Sequence, residues 1–137
     1  MSTVADIIRD ALRHLRVQDP RQPLSAEDAR DGMRMLNLMM RRWEADTLAL
    51  GWNDVTDVTQ TLPLPPEAEL GVGYSLAVVL RPGFGVDLDP DVRDGAEKYL
   101  VALQRDALRV SSLRHGAMLP AGEADGYCDS LAGWPRR

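Results

Sequence analysis

With 137 residues and a net charge of −5, the chain is long enough for one compact domain that buries about two-thirds of its unfolded surface. A sequence pI near 4.9 argues against a protein whose affinity comes from neutralising many phosphates, since such domains read basic. Aromatic residues make up 5% of the chain against 45% hydrophobic residues overall, so aliphatic side chains and methionines must fill the core.

The first predicted element is a helix over residues 3–16. Val4, Ile7, Ile8, Ala11, Leu12 and Leu15 recur at the spacing of one buried helix face. Thr3 is its expected N-cap, with Asp6 near the positive end and Arg13, His14 and Arg16 near the negative end. Pro20 and Pro23 then mark a turn, and Ser25 with Glu27 and Asp28 opens a second helix. Ala29, Met33, Leu36, Met40 and Trp43 form its stripe, and Gly51 is the expected stop. At about 24 residues this helix spans roughly 36 Å, and it is the expected backbone of the fold.

Residues 52–62 are rich in Val and Thr and read as one extended arm or a short β-hairpin. Leu62-Pro63-Leu64-Pro65-Pro66 imposes a stiff extended turn, after which proline at a first helical position opens a third helix with Glu67 and Glu69. Gly71 and Gly73 each cost that helix about 1 kcal/mol relative to alanine, so close packing or an irregular start is expected there. Arg81-Pro82 is its expected end. Asp89 and Pro90 start a fourth helix that runs to about Ser112, with Val92, Ala96, Tyr99, Leu100 and Leu103 on its apolar side. The expectation is therefore a mainly α, roughly four-helix bundle with one long helix and an extended arm. The helical domain covers residues 1–112 and an irregular C-terminal tail covers 113–137.

Few residues are spaced for chemistry. Asp87, Asp89 and Asp91 alternate like the start of a calcium loop, but Val92 and Lys98 stand where that loop needs a turn glycine and a bidentate glutamate. His14 and His115 lie in separate elements and read as surface residues. Cys128, the single cysteine, sits in the tail with no zinc spacing around it. Gly71-Val-Gly73 and Gly83-Phe-Gly85 lack the strand, glycine pattern and helix of a phosphate loop. No catalytic residue, metal or cofactor is expected. No apolar run approaches the ~20 residues of a membrane helix, and the first residues lack a basic, apolar leader. These features predict a soluble chain made in the cytoplasm.

The basic residues are 15 arginines and one lysine, and arginine's planar fork suits fixed interfacial ion pairs. A genome rich in G and C accounts for the same bias. Arg30, Arg34 and Arg41 share one stripe of the second helix with Glu27, Asp31 and Glu44, as a solvated ion-pair face, a subunit contact or a nucleic-acid contact.

The ordered set of motifs from Leu24-Ser25-Ala26-Glu27-Asp28-Ala29 and Leu36-Asn37-Leu38-Met39-Met40-Arg41-Arg42-Trp43, through Leu64-Pro65-Pro66-Glu67-Ala68-Glu69, Tyr74-Ser75-Leu76-Ala77 and Arg81-Pro82-Gly83-Phe84-Gly85, to Pro90-Asp91-Val92 resembles a known family. It is similar to the head-to-tail adaptors of tailed bacteriophages and gene-transfer-agent particles, including the packaged-DNA stabilisation proteins of short-tailed phages. The likeness covers residues 3–110. Ser75 stands where the family favours asparagine, and Ala68 where an aromatic is common.

The resemblance implies a ring of about twelve copies docked beneath the portal of a virion. Such a ring extends the DNA channel, helps to retain packaged DNA and offers a platform to a downstream tail protein, without a membrane partner. On that reading Arg30, Arg34, Arg41, Val55 and Val58 are the candidate subunit-contact or channel residues. The tail, through Leu113, Met118, Leu119, Tyr127, Leu131 and Trp134, is the candidate portal-docking segment. The competing readings are a virion-associated cell-wall hydrolase acting through Glu67 or Glu69, and a small helical DNA-binding or regulatory protein.

Overall fold

Thr3 starts the first helix by a reciprocal cap. Its hydroxyl accepts from the Asp6 backbone N–H, and the Asp6 carboxylate accepts in return from the Thr3 backbone N–H at 3.0 Å. Two donors that the helix leaves open are thereby satisfied. The resulting helix, α1 (Val4–His14), buries Val4, Ile7, Ile8, Ala11 and Leu12, the stripe predicted by periodicity. The computed structural model to which α1 belongs describes residues 2–19, 21–46 and 48–116, with side chains as far as 108. The chain divides into two units, Met1–Arg105 and Asp106–Arg137, and the packing below is that of the first.

Hydrogen bonds from Thr3, and then the nearby Arg9 guanidinium, hold the Asp6 carboxyl below the usual aspartate range. A carboxyl depressed by folding stabilises the native state above its unfolded pKa, and that contribution disappears as pH falls through the native value. Thr3→Ala is expected to cost about 1 kcal/mol near neutral pH, as lost N-caps do. Denaturant titrations between about pH 5 and pH 2 should show the wild type losing more stability than Thr3→Ala, so that the two curves converge in acid.

Ser25 caps α2 (Ala26–Ala45) by accepting from the Asp28 N–H at 3.1 Å. Ala29, Gly32, Leu36, Met39, Met40 and Trp43 are its buried face. At 20 residues α2 is shorter than predicted and stops well before Gly51. Its C-terminal turn closes through Asp46 N–H to Arg42 C=O and Leu48 N–H to Trp43 C=O, and Leu48 is buried. Burying one more leucine ends the helix earlier than glycine would. Gly51 instead takes a left-handed conformation, φ 74°, within the connection that follows.

That connection is extended but is not a hairpin. Among the described residues there is no strand, only an isolated antiparallel bridge between Thr3 and Thr61. Its later part covers the start of α1. The carbonyls of Gln60 and Val58 accept from the Val4 and Ala5 N–H groups at 3.0 and 2.9 Å, and Leu62 N–H donates to Ser2 C=O. Backbone that would have paired in a hairpin satisfies helix-end donors instead.

Pro66 opens α3 (Pro66–Phe84) as predicted, but Pro82 does not end it. The helix continues past the proline to Gly85, left-handed at φ 63°, whose N–H reaches Arg81 C=O at 3.1 Å. A proline this late removes a single intrahelical donor, and the Arg81 guanidinium closes the end by donating to Val86 C=O at 3.1 Å. Ala68 and Ser75 are both buried in this helix. The fourth helix, α4 (Pro90–Gly116), has 27 residues and is the longest described. It exceeds α2, the expected long helix, and extends past the predicted end at Ser112.

α1, α2 and α3 pack on one another around Ile8, Leu12, Leu36, Met40, Val72 and Leu76, all fully buried. Each such side chain contributes about 1.5–3 kcal/mol by leaving water. α4 packs on α3 where the latter has glycine. A β-carbon at Gly71 would stand 3.0 Å from the Tyr99 β-carbon and 3.3 Å from a Leu103 methyl, whereas one at Gly73 would meet nothing within 4 Å. Opposite signs follow: Gly73→Ala should stabilise by about 1 kcal/mol through helix propensity, and Gly71→Ala should destabilise by about as much through crowding. Paired thermal melts of the two variants check the contrast.

Candidate assembly surfaces

Asn37 lies on the flank of α2 and reaches across to the connection. Its amide nitrogen donates to Val55 C=O at 2.9 Å and its amide oxygen accepts from Val55 N–H at 3.1 Å. The carboxamide thus acts as a one-residue strand partner, satisfying both backbone groups of Val55. Glu44 accepts from the Trp52 backbone N–H at 3.2 Å, and Arg41 pairs with Asp54. One flank of α2 therefore holds residues 52–55 by three side chains spaced along it. The hydrogen bond and charge of Arg41 hold the Asp54 carboxyl below its usual range, and Asp54 raises the Arg41 guanidinium in turn.

This placement separates the predicted contact residues. Val55 is 4% exposed and belongs to the chain's own core, not to a face open to a partner. Val58 is half-buried in the turn above α1, where its carbonyl caps that helix. Arg41 is engaged within the chain but stays open to solvent. Arg30 and Arg34 are exposed, and neither has an ion-pair partner among the described residues. At 3.6 residues per turn Arg30, Arg34 and Arg41 lie within about 40° of one another on the helix, roughly opposite Leu36 and Trp43. Leu38 shares that outer side, 46% exposed, with Glu27 and Asp31 beside it.

A second surface feature lies between α1 and α3. Ser2, Ile7, Asp10, His14, Glu69 and Leu70 border an open groove of about 450 Å³ next to Gly73. Leu70 is 49% exposed on its rim. Arg13 and Asp10, both exposed, approach within 3.4 Å, and Ser2 donates to the Glu69 carboxylate at 2.6 Å. His14 is part-exposed at this groove, and its ring has a partner that the sequence did not suggest. Its ring stacks on Tyr74 with centroids 4.4 Å apart, and Tyr74 stacks on Tyr99 at 5.7 Å. This column of rings ties α1, α3 and α4 together. Gly95 lets α4 approach it, because a β-carbon there would stand 3.3 Å from the Tyr74 ring.

Asp87, Asp89 and Asp91 precede or open α4, where Asp89 accepts from Arg16 at 2.9 Å and from the Asp91 N–H. They act as a helix start and an inter-element tie. Among the described residues no group of acidic, histidine or cysteine side chains is arranged to hold a metal ion, and no helix is long and apolar enough to cross a membrane. Of the tail residues, Leu113 falls within α4, while Met118, Leu119, Tyr127, Leu131 and Trp134 lie outside the described residues, as does Cys128. Two features escaped sequence reasoning. The groove joins residues some sixty positions apart, and Asn37 gave no sign of its partner, although it is the polar residue between two leucines in the motif that carries the family resemblance. The sequence matches no protein-family model, and no curated protein matches it.

Proposed function

We propose that the chain is a structural subunit of a phage or phage-like particle, an adaptor that assembles as a ring under the portal, continues the DNA channel and receives the tail. The observation that carries this reading is where the family-like motifs fall. Ser25 caps α2, Asn37 clasps Val55, Pro66 opens α3, Arg81 and Gly85 close it, and Pro90 opens α4. Residues that form a fold's joints are the ones a shared fold requires, so a likeness concentrated there supports a shared architecture. The function itself follows from the resemblance, by analogy of fold.

Several physical features agree with a mechanical role. A net charge of −5 lets a channel subunit repel phosphates and leave DNA free to slide. Residues 113–137 are assigned to docking on the portal. Arg30 and Arg34 are assigned to subunit contact or to the channel wall. The test is to mix the chain with the portal of its own particle and image the complex. A ring of copies beneath the portal is the expected outcome. A portal that stays bare, or one that a chain truncated before Leu113 decorates as well as the full chain does, contradicts the assignment.

A further inference from the structure

We infer that the outer side of α2 on one copy seats in the groove between α1 and α3 of the next copy, a head-to-tail contact that uses two different surfaces of the same chain. The two surfaces carry matching chemistry. Leu38 on α2 and Leu70 on the groove rim are large apolar side chains about half in water, and each gains by covering the other. Arg34 and Arg30 stand about one and two turns before Leu38, without an ion-pair partner among the described residues. The groove supplies Asp10 and Glu69 at its border, the first beside Arg13 and the second accepting from Ser2. Glu27 and Asp31, the acids of the α2 surface, have Arg13 at the groove as their counterpart, a guanidinium that is solvent-exposed beside Asp10 and can exchange that exposed partner. Such a mixed pattern sets register and penalises the reverse docking, in which like charges face each other.

The positions of the two surfaces decide the symmetry. α2 turns Gly32 towards Ile8 of α1, and Leu38 and Arg34 lie on the far side of the helix. On α1 the groove residues Ile7, Asp10 and His14 lie about 100–160° around the helix from Ile8. A contact between two different surfaces propagates from copy to copy as a heterologous one, and a closed pair in which both contacts form at once is the outcome that the double-cysteine variant separates from it. A β-carbon at Gly73 meets nothing within 4 Å, so the groove floor has room there for an incoming side chain such as Leu38. A 20-residue helix is about 30 Å long, enough to lie along the groove. This pairing deepens the ring reading and rests on it only for closure of the series into a ring.

Disulfide trapping tests the pairing, in a Cys128→Ser background, on the isolated chain and on the chain mixed with portal. An equal mixture of Leu38→Cys and Leu70→Cys should give a mixed disulfide on oxidation, read by mass. The variant carrying both cysteines should give a ladder of multimers. Gly73→Leu, which fills the groove at a position with room for a side chain, should keep the thermal melt and reduce the mixed product at least tenfold. The inference is overturned if the mixed product is absent from both preparations, if either single-cysteine variant alone dimerises as well as the mixture does, or if Gly73→Leu leaves the product unchanged. Rings on the portal without the mixed disulfide would remove this pairing and keep the ring reading. The mixed disulfide without rings on the portal would do the reverse.

Discussion

Gly32→Val is expected to destabilise the chain by about 3 kcal/mol, the upper end of the usual cost of overpacking. A β-carbon at Gly32 would stand 2.6 Å from the Ile8 Cγ2 methyl, and Ile8 is fully buried. Ile8 cannot swing aside, because a β-branched side chain in a helix has one strongly preferred rotamer. The helices must therefore separate, and interior packing density leaves no slack for that. A loss of this size lowers Tm by roughly 10–15 °C in a domain of this length. Gly32→Ala gains back up to about 1 kcal/mol of helix propensity and should cost less. Ile8→Ala removes every Ile8 atom that crowds Gly32. The double variant Ile8→Ala/Gly32→Ala should thus be more stable than the two single losses added together. Additive losses in that cycle would contradict the close contact of α1 with α2.

Asn37→Ala carries the second large effect, about 2–4 kcal/mol. The substitution deletes both hydrogen bonds to Val55 and leaves a donor and an acceptor behind, each costing about 1–3 kcal/mol when buried and unpaired. Partial access of water at this flank keeps the sum below the maximum. Val55 itself is buried, so loosening the connection also exposes apolar surface. Hydrogen exchange gives a local readout: the Val55 amide should lose protection far more than amides in α3 do. Asn37→Asp keeps the acceptor but places a carboxylate against the Val55 carbonyl. It should be least harmful in acid, where the protonated carboxyl can donate to that carbonyl. Equal protection of Val55 in wild type and Asn37→Ala would show that the connection is held by packing alone.

The helices were legible because their signals are local. Thr3, Ser25 and Pro66 mark starts by chemistry confined to one turn, and the α1 stripe follows its period without exception. Ends were less legible where tertiary packing decides them. α2 stops early because Leu48 is drawn into the core, and α3 passes Pro82 because one missing donor in a last turn is a small defect. The Val/Thr stretch had strand composition but no strand to pair with, and it became a cover for the start of α1. Its attachment at Val55 is made by a carboxamide 18 residues away, which no periodicity reports. The glycines show the same limit. Gly71 meets α4 closely and Gly73 faces open space, although in sequence the two look alike.

The surfaces divide in the same way. Arg30 and Arg34 were visible as a stripe, and they are exposed on the outer side of α2 with no ion-pair partner among the described residues. Val55 carried the same expectation, yet its side chain is committed inside the chain's own core. Composition places a residue in an element, and only the packing of several elements decides which of its sides remains for a partner.

The most direct measurement of the adaptor reading is the native mass of the full chain, alone and after mixing with the portal of its particle. Assembly on a template predicts small species for the isolated chain, and a single large complex in which many copies join each portal at a fixed ratio. An isolated chain and a portal that keep their separate masses at every mixing ratio would contradict it.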